Sequence, residues 1–340
     1  MRICKVNSKD PWAEISPPSP SNQYNANLVD HPDLTWEFFW AKGPDSKCAL
    51  ILNHKASSNE GLKLPKLKGV EVSFISESGG QNANLLFKLH ETEHRDIFYQ
   101  LCKDIVESTT QAESEREAVS LTIARAWRWH HLLRGGSDGR LSLEEQKGLI
   151  GELIVLERLL LTHMSPVDAV NSWTGPLDAP KDFEIGNVCI ESKARRGAAT
   201  PFVTINSEFQ LDDDSVDQLY LHVVELNRTP PSSDGSFNIT EIATRVREKI
   251  QENDPGAISA YDGLLSSSGF DWDDDYSDSV FLEGSHTAYL VQGNFPRITQ
   301  HNFHPGPSRV RYSLSLTECE PYQTTYKSLS SAIKKVNDGE

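Results

Sequence analysis

Apolar and polar positions change their spacing along the chain, and those changes predict its elements. Short apolar or alternating runs at Trp36–Trp40, Cys48–Leu52, Val70–Ser76 and Asn84–Leu89 read as strands, with Pro17-Pro18-Ser19-Pro20-Ser21 a loop and Gly79-Gly80 a turn. The spacing then becomes helical from about Thr92 to Glu107, with Ile97, Phe98, Leu101 and Ile105 on the core face. Residues 1–108 are therefore expected to form a β-rich domain closed by a helix. A second helix is expected from Glu113 to Leu133, ending in the break Gly135-Gly136-Ser137-Asp138-Gly139. Beyond it the two spacings mix: a helix from Ser142 to about Leu161, strands at 202–205 and 219–226, helices at 239–250 and 257–265, and late strands at 289–292 and 310–316. That mixture makes residues 109–340 an expected α/β domain.

One segment carries chemistry in its alternation. Asp182-Phe183-Glu184-Ile185 and Val188-Cys189-Ile190-Glu191-Ser192-Lys193 flank Gly186-Asn187, a two-residue hairpin signal. Such a loop pairs Ile185 with Val188 and sets Asp182 opposite Glu191. Phe183, Ile185, Val188, Ile190 and Ser192 then point one way, and Asp182, Glu184, Cys189, Glu191 and Lys193 the other, onto a face expected to be polar. Two carboxylates directly across a ladder repel, with Cβ atoms about 5 Å apart, and a bridging divalent cation offsets that repulsion. Lys193 falls where an ammonium orients or deprotonates a water, or neutralises charge on a phosphate. A charged strand face is otherwise simply solvated, and it is the register that favours chemistry here.

Upstream, Ser142 and Glu145 form a capping box for a helix whose apolar stripe is Leu149, Ile150, Leu153, Leu156 and Leu160. Glu152 lies inside that stripe with no base three or four positions away. A carboxylate there either holds a metal or water, which offsets its burial, or sits at the stripe's edge and reaches solvent.

Pro180-Lys181-Asp182 followed by Glu191-Ser192-Lys193 resembles the motif of the PD-(D/E)XK nuclease superfamily, with Lys181 set between the Pro and the Asp. Gly148-Leu149-Ile150-Gly151-Glu152-Leu153 and Trp173-Thr174-Gly175-Pro176 extend the likeness to the bacterial PD-(D/E)XK motif proteins of restriction and phage-defence gene clusters, most specifically over residues 141–226. The resemblance implies a restriction-endonuclease-like core, a mixed sheet flanked by helices, beside the N-terminal β-rich domain. It implies Mg²⁺- or Mn²⁺-dependent hydrolysis of DNA, with Asp182, Glu191 and Glu152 holding the metal and Lys193 completing the catalytic set. It also implies ATPase and methyltransferase subunits as partners, and a homodimer where both strands are cut. Arg195, Arg196 and Gln210 are the expected nucleic-acid contacts. The rival expectation is an inactive nuclease-like scaffold.

Composition constrains these readings. The net charge of −16 opposes binding to a polyanion, so any DNA contact is expected to use a partner or a narrow basic groove. The acidic excess collects in Asp212-Asp213-Asp214 and around Asp271–Asp275. No apolar run approaches the length of a membrane span and no signal-peptide core follows Met1, so a cytoplasmic protein is expected. Five scattered cysteines without paired spacing suggest reduced thiols. His90-Glu91-Thr92-Glu93-His94 matches a zinc-protease pattern, but His90 ends a strand-like run and the two histidines are expected to straddle a helix start. Trp127-Arg128-Trp129-His130-His131 suits nucleic-acid stacking or, as tryptophans at helical spacing more often do, a core.

Overall fold

The computed structural model describes residues 10–337 except 19–22, 60–61, 63, 66, 68, 77–80, 134–139, 178, 215 and 303–309; the chain divides into two compact units, Met1–Gly135 and Gly136–Glu340. The Gly135–Gly139 break therefore lies outside the described residues.

In the first unit, β1 (Asn25–Leu28), β2 (Phe38–Lys42), β3 (Cys48–Lys55), β4 (Val70–Ser76) and β5 (Asn82–Leu89) form an antiparallel sheet in the order β1-β2-β3-β5-β4. Alternation turns Leu50, Leu52, Leu85 and Phe87 toward α1 (Arg95–Ser108) and α2 (Glu115–Leu133). The expected boundary near residue 108 is displaced, because α2 completes this unit's core with Val119, Ile123, Ala126 and Trp127. Asp104 of α1 locks the pair, accepting from Arg125 at 2.6 and 2.7 Å and from the Trp129 indole at 2.7 Å. Trp127 and Trp129 thus serve helix packing. His90 directly follows β5, while His94 closes a 3-10 turn ahead of α1, so the continuous helix a zinc-protease motif requires is not formed across them.

The second unit is built on a mixed sheet. Its strands are β6 (Phe183–Ile185), β7 (Val188–Arg195), β9 (Gln218–Arg228), β10 (Phe281–Leu290) and β12 (Gln323–Thr324), in the order β12-β10-β9-β7-β6, with β7 and β9 parallel. A separate pair, β8 (Phe202–Ile205) and β11 (Tyr312–Ser315), packs on the other face of the sheet from the helices. The helical face carries α3 (Leu143–Val155), which runs on through a π turn at Leu156–Leu160, then α4 (Pro166–Asn171), α5 (Ile239–Asn253), α6 (Ile258–Ser267) and α7 (Tyr326–Asn337). The capping box at Ser142 and Glu145 opens α3 as its sequence predicts. A Cβ on Gly151 would stand 3.3 Å from Ser192 Oγ and 3.5 Å from Val224 Cγ1, which shows how closely α3 lies on β7 and β9.

The face expected to be polar is a second core. Cys189 joins Leu219, Leu221, Val223, Val203 and Ile205 there, because β8 and β11 cover the strands that the spacing left exposed. Asp182, Glu191 and Lys193 are a polar island at its border. The four described cysteines are free and buried, and Cys4 lies outside the described residues. No described helix is long and apolar enough to cross a membrane.

Candidate metal centre

The hairpin positions the acids. Gly186 takes φ +54° at the first turn position, the place of glycine in a type II′ hairpin, and its ideal Cβ would stand 2.7 Å from Val336. The ladder pairs Phe183 with Ile190, Glu184 with Cys189 and Ile185 with Val188, the register expected from the spacing. One step further, Asp182 reaches the level of Glu191, and its Oδ2 accepts from Ser192 N at 2.7 Å. The Asp182 carbonyl accepts from both Thr174 N and Gly175 N at 2.9 Å. Residues 172–175 thus act as a further rail beside β6.

Glu152 arrives from α3. Its Oε2 accepts from the buried Trp173 indole N–H at 2.7 Å. A Cβ on Gly175 would stand 3.0 Å from both Glu152 Oε2 and Asp182 Oδ1, so those two oxygens flank a point that only a glycine leaves vacant. Glu191 is 0 % exposed; its Oε1 accepts from Lys193 Nζ at 2.5 Å, and its Oε2 has no hydrogen-bond partner among the described residues. Lys193 keeps 14 % of its side-chain surface, and Glu152 and Asp182 are also only partly buried. Lys193, Glu152 and Asp182 thus keep some contact with solvent, and Glu191 keeps none.

The electrostatics are those of a site short of positive charge. Burial, then the neighbouring Asp182, pushes the Glu191 carboxyl up to about 8 against the pull of Lys193. Burial, then Asp182, raises Glu152 well above the usual carboxylate range. Asp182 is raised by burial despite Lys193 and the Ser192 amide. Burial pulls the Lys193 ammonium down, but Glu191 and Asp182 outweigh it and leave Lys193 raised, hence charged. Three acids of Glu and Asp type, one with an orphaned buried oxygen, match the oxygen-donor set of Mg²⁺ or Mn²⁺. A divalent ion would supply the charge that one lysine does not.

The structure therefore gathers Glu152, Asp182, Glu191 and Lys193 into one electrostatic cluster, in which the ligand oxygens of the three acids do not all lie within 4.8 Å of one another as those of Asp212, Asp213 and Asp214 do, and it treats the other expected contacts differently. Arg195 is spent on structure: it pairs with Glu225 at 2.5 Å and donates to the Gly197 and Ala199 carbonyls. Arg196 is exposed. Gln210 closes its own loop, its Oε1 accepting from Asn206 N at 2.6 Å. The acidic run is also engaged, with Asp213 held by Arg297 at 2.8 Å and Asp214 by His301.

Sequence reasoning missed two participants. Trp173 lay in the resembling stretch, yet no periodicity ties it to a glutamate 21 residues away. Lys181, read only as a spacer, is buried and donates to the Phe209 carbonyl at 2.9 Å, adding a second positive charge that acts on Glu191. A lysine adjoining a motif acid was the available signal.

Over residues 8–317 the chain matches the family described as "Putative PD-(D/E)XK family member (DUF4420)". No curated protein and no solved structure matched it.

Proposed function

The chain belongs to the PD-(D/E)XK family, and from that membership and the geometry above we propose that it is a metal-dependent endonuclease hydrolysing DNA phosphodiester bonds. The observation that carries the reading is the convergence of Glu152, Asp182 and Glu191 around Lys193, with the Glu191 Oε2 atom left without a partner. Those three acids would hold Mg²⁺ or Mn²⁺, which when bound polarises a phosphate oxygen and acidifies a water.

The chain's own groups do the rest. Lys193, held on Glu191 and positively charged, orients the attacking water and stabilises charge that builds on the phosphate. Trp173 fixes Glu152, and Ser192 N fixes Asp182. The resemblance supports a setting in bacterial restriction or anti-phage defence, in the cytoplasm, beside ATPase and methyltransferase subunits.

A second reading, an inactive nuclease-like scaffold, draws on the complete burial of Glu191. One experiment separates the two. Supercoiled, methylated and single-stranded DNA are incubated with wild type and with Asp182→Ala, Glu191→Ala and Lys193→Ala, with and without Mg²⁺ or Mn²⁺. The nuclease reading expects metal-dependent cleavage that each substitution lowers by at least a hundredfold, and a metal-dependent rise in melting temperature that the carboxylate variants lose. Wild type that neither cuts nor gains melting temperature with either ion is the scaffold.

A further inference from the structure

The N-terminal unit carries a feature that the nuclease reading does not use. A cavity of about 540 Å³ lies between β1 and α1, in the size range of sites for specific ligands. Its walls include the half-buried rings of Trp40 and Tyr99, whose centroids are 5.8 Å apart. Glu14 and Asp30 stand at its border, exposed, with no ion pair or hydrogen bond among the described residues. The other two carboxylates there are matched, Asp10 by Arg95 at 2.7 Å and Glu107 by His31 at 3.2 Å.

The groove already shelters one cation of its own. Lys103 Nζ sits 6.0 Å from the centre of the Tyr99 ring, within reach of a cation–π attraction. Beside it runs β1, the edge strand of its sheet, whose backbone ladder among the described residues is with β2, while the Asn25 side chain at its start donates to the Ser16 and Pro17 carbonyls. Val29 N donates to Phe38 O, so by alternation Ala26 and Leu28 turn their backbone N–H and C=O groups outward. Leu28 also leaves 61 % of its surface exposed on that edge. An open edge of this kind recruits another strand, and the flanking pockets choose its side chains.

We propose that this groove binds an extended, lysine- or arginine-bearing segment of a partner protein. The segment pairs with the free edge of β1, lays an aliphatic residue on Leu28, and places a cationic side chain against Trp40 and Tyr99 between Glu14 and Asp30. Lys103 occupies the cationic position in the unbound protein and yields it on binding.

The test uses the full chain and fluorescently labelled ten-residue peptides in which Val or Thr alternates with Lys or Arg, with Glu-for-Lys/Arg counterparts, and free arginine and tetramethylammonium as competitors. Basic peptides should bind at least tenfold more tightly than acidic ones. Glu14→Lys with Asp30→Lys should lose that binding by tenfold or more, while Glu248→Lys with Glu252→Lys, an equal charge change on exposed positions of α5, should alter it less than twofold. Lys103→Ala should bind as tightly as wild type or more so. Two outcomes overturn the proposal: equal losses in both charge-reversed pairs, which would reduce it to general attraction to an acidic chain, or tenfold weaker binding in Lys103→Ala. Free arginine matching the peptides in affinity overturns the strand pairing. None of these readouts depends on nuclease activity.

Discussion

Glu191 concentrates the tension of the candidate site in one side chain. Its folded carboxyl titrates at about 8, against 4.5 for an ordinary glutamate. Below the lower value both folded and unfolded chains hold the proton. Between the two values the unfolded chain has released it and the folded chain has not, so the metal-free protein loses stability as pH rises from about 4.5 to 8. Glu191→Gln keeps an acceptor for Lys193 and abolishes that slope. In chelator at pH 8 it should melt above wild type, with a gain on the order of 3–5 kcal/mol as an upper bound for a fully buried acid. A variant that melts lower at pH 8 would show that the buried charge is already compensated. Trp173→Phe is the complementary substitution: it keeps an aromatic ring in the buried position but deletes the indole N–H on Glu152 together with the pyrrole half of the side chain. Loss of a hydrogen bond to a carboxylate costs roughly 1.5–3 kcal/mol. The expected signature is a weaker Mg²⁺ or Mn²⁺ dependence of melting, and unchanged metal titration would remove Trp173 from the site.

Between elements, packing rests on contacts that local patterning does not reveal. Gly175 belongs to a 3-10 turn, not to a strand or helix face, yet any Cβ there meets Glu152, Asp182 and the Asp182 backbone at 3.0–3.2 Å. Gly175→Ala should therefore cost about 1–3 kcal/mol in chemical denaturation, as overpacking does, and should blunt the metal response even if the fold survives. The central strands carry a second buried polar link. His222 of β9 meets His286 of β10 at 3.2 Å, and His286 meets Glu283 at 2.6 Å, which in turn binds Arg158 in the π turn after α3. Burial, then the His286 neighbour, pushes His222 down to about 3, so an unfolded chain takes up a proton near 6.5 that the folded chain refuses. Stability is lost as pH falls from 6.5 toward 3, the opposite direction to Glu191, and His222→Gln should flatten that acid limb in pH-dependent melts. The hairpin and the capping box were legible beforehand because each is local: a Gly-Asn turn with alternation, and a Ser with a Glu three residues on. Glu152 was legible because a carboxylate in an apolar stripe needs a reason. The polar face was misjudged because β8, although close in sequence, covers it only as a pair with β11 from the far C-terminal part of the chain. α7 was overlooked although Tyr326, Leu329, Ile333 and Val336 carry helical spacing behind a Thr325 cap, whereas β1, Asn-Ala-Asn-Leu, gave no signal to find.

For the whole molecule, charge decides how the proposed nuclease meets its substrate. A duplex is bound largely through lysines and arginines that displace counterions, and log K falls with log salt by about 0.9 for each phosphate neutralised. This chain carries a net charge of −16, and of the arginines expected at the site Arg195 is already held by Glu225 and two carbonyls. Only a few phosphate contacts are then available to the chain alone. In fluorescence anisotropy with a short duplex, in Ca²⁺ to prevent cutting, the expected salt slope is shallow, roughly −1 to −3, and affinity is weak. Arg196→Ala should reduce the slope by about one, while Arg195→Ala should act mainly through stability by stranding Glu225. A slope steeper than about −6 would require a continuous basic track, against the chain's net charge of −16. Purified complex with a basic partner subunit should restore both slope and affinity, and a partner that leaves them unchanged would shift the role of this chain from cutting DNA toward organising other subunits.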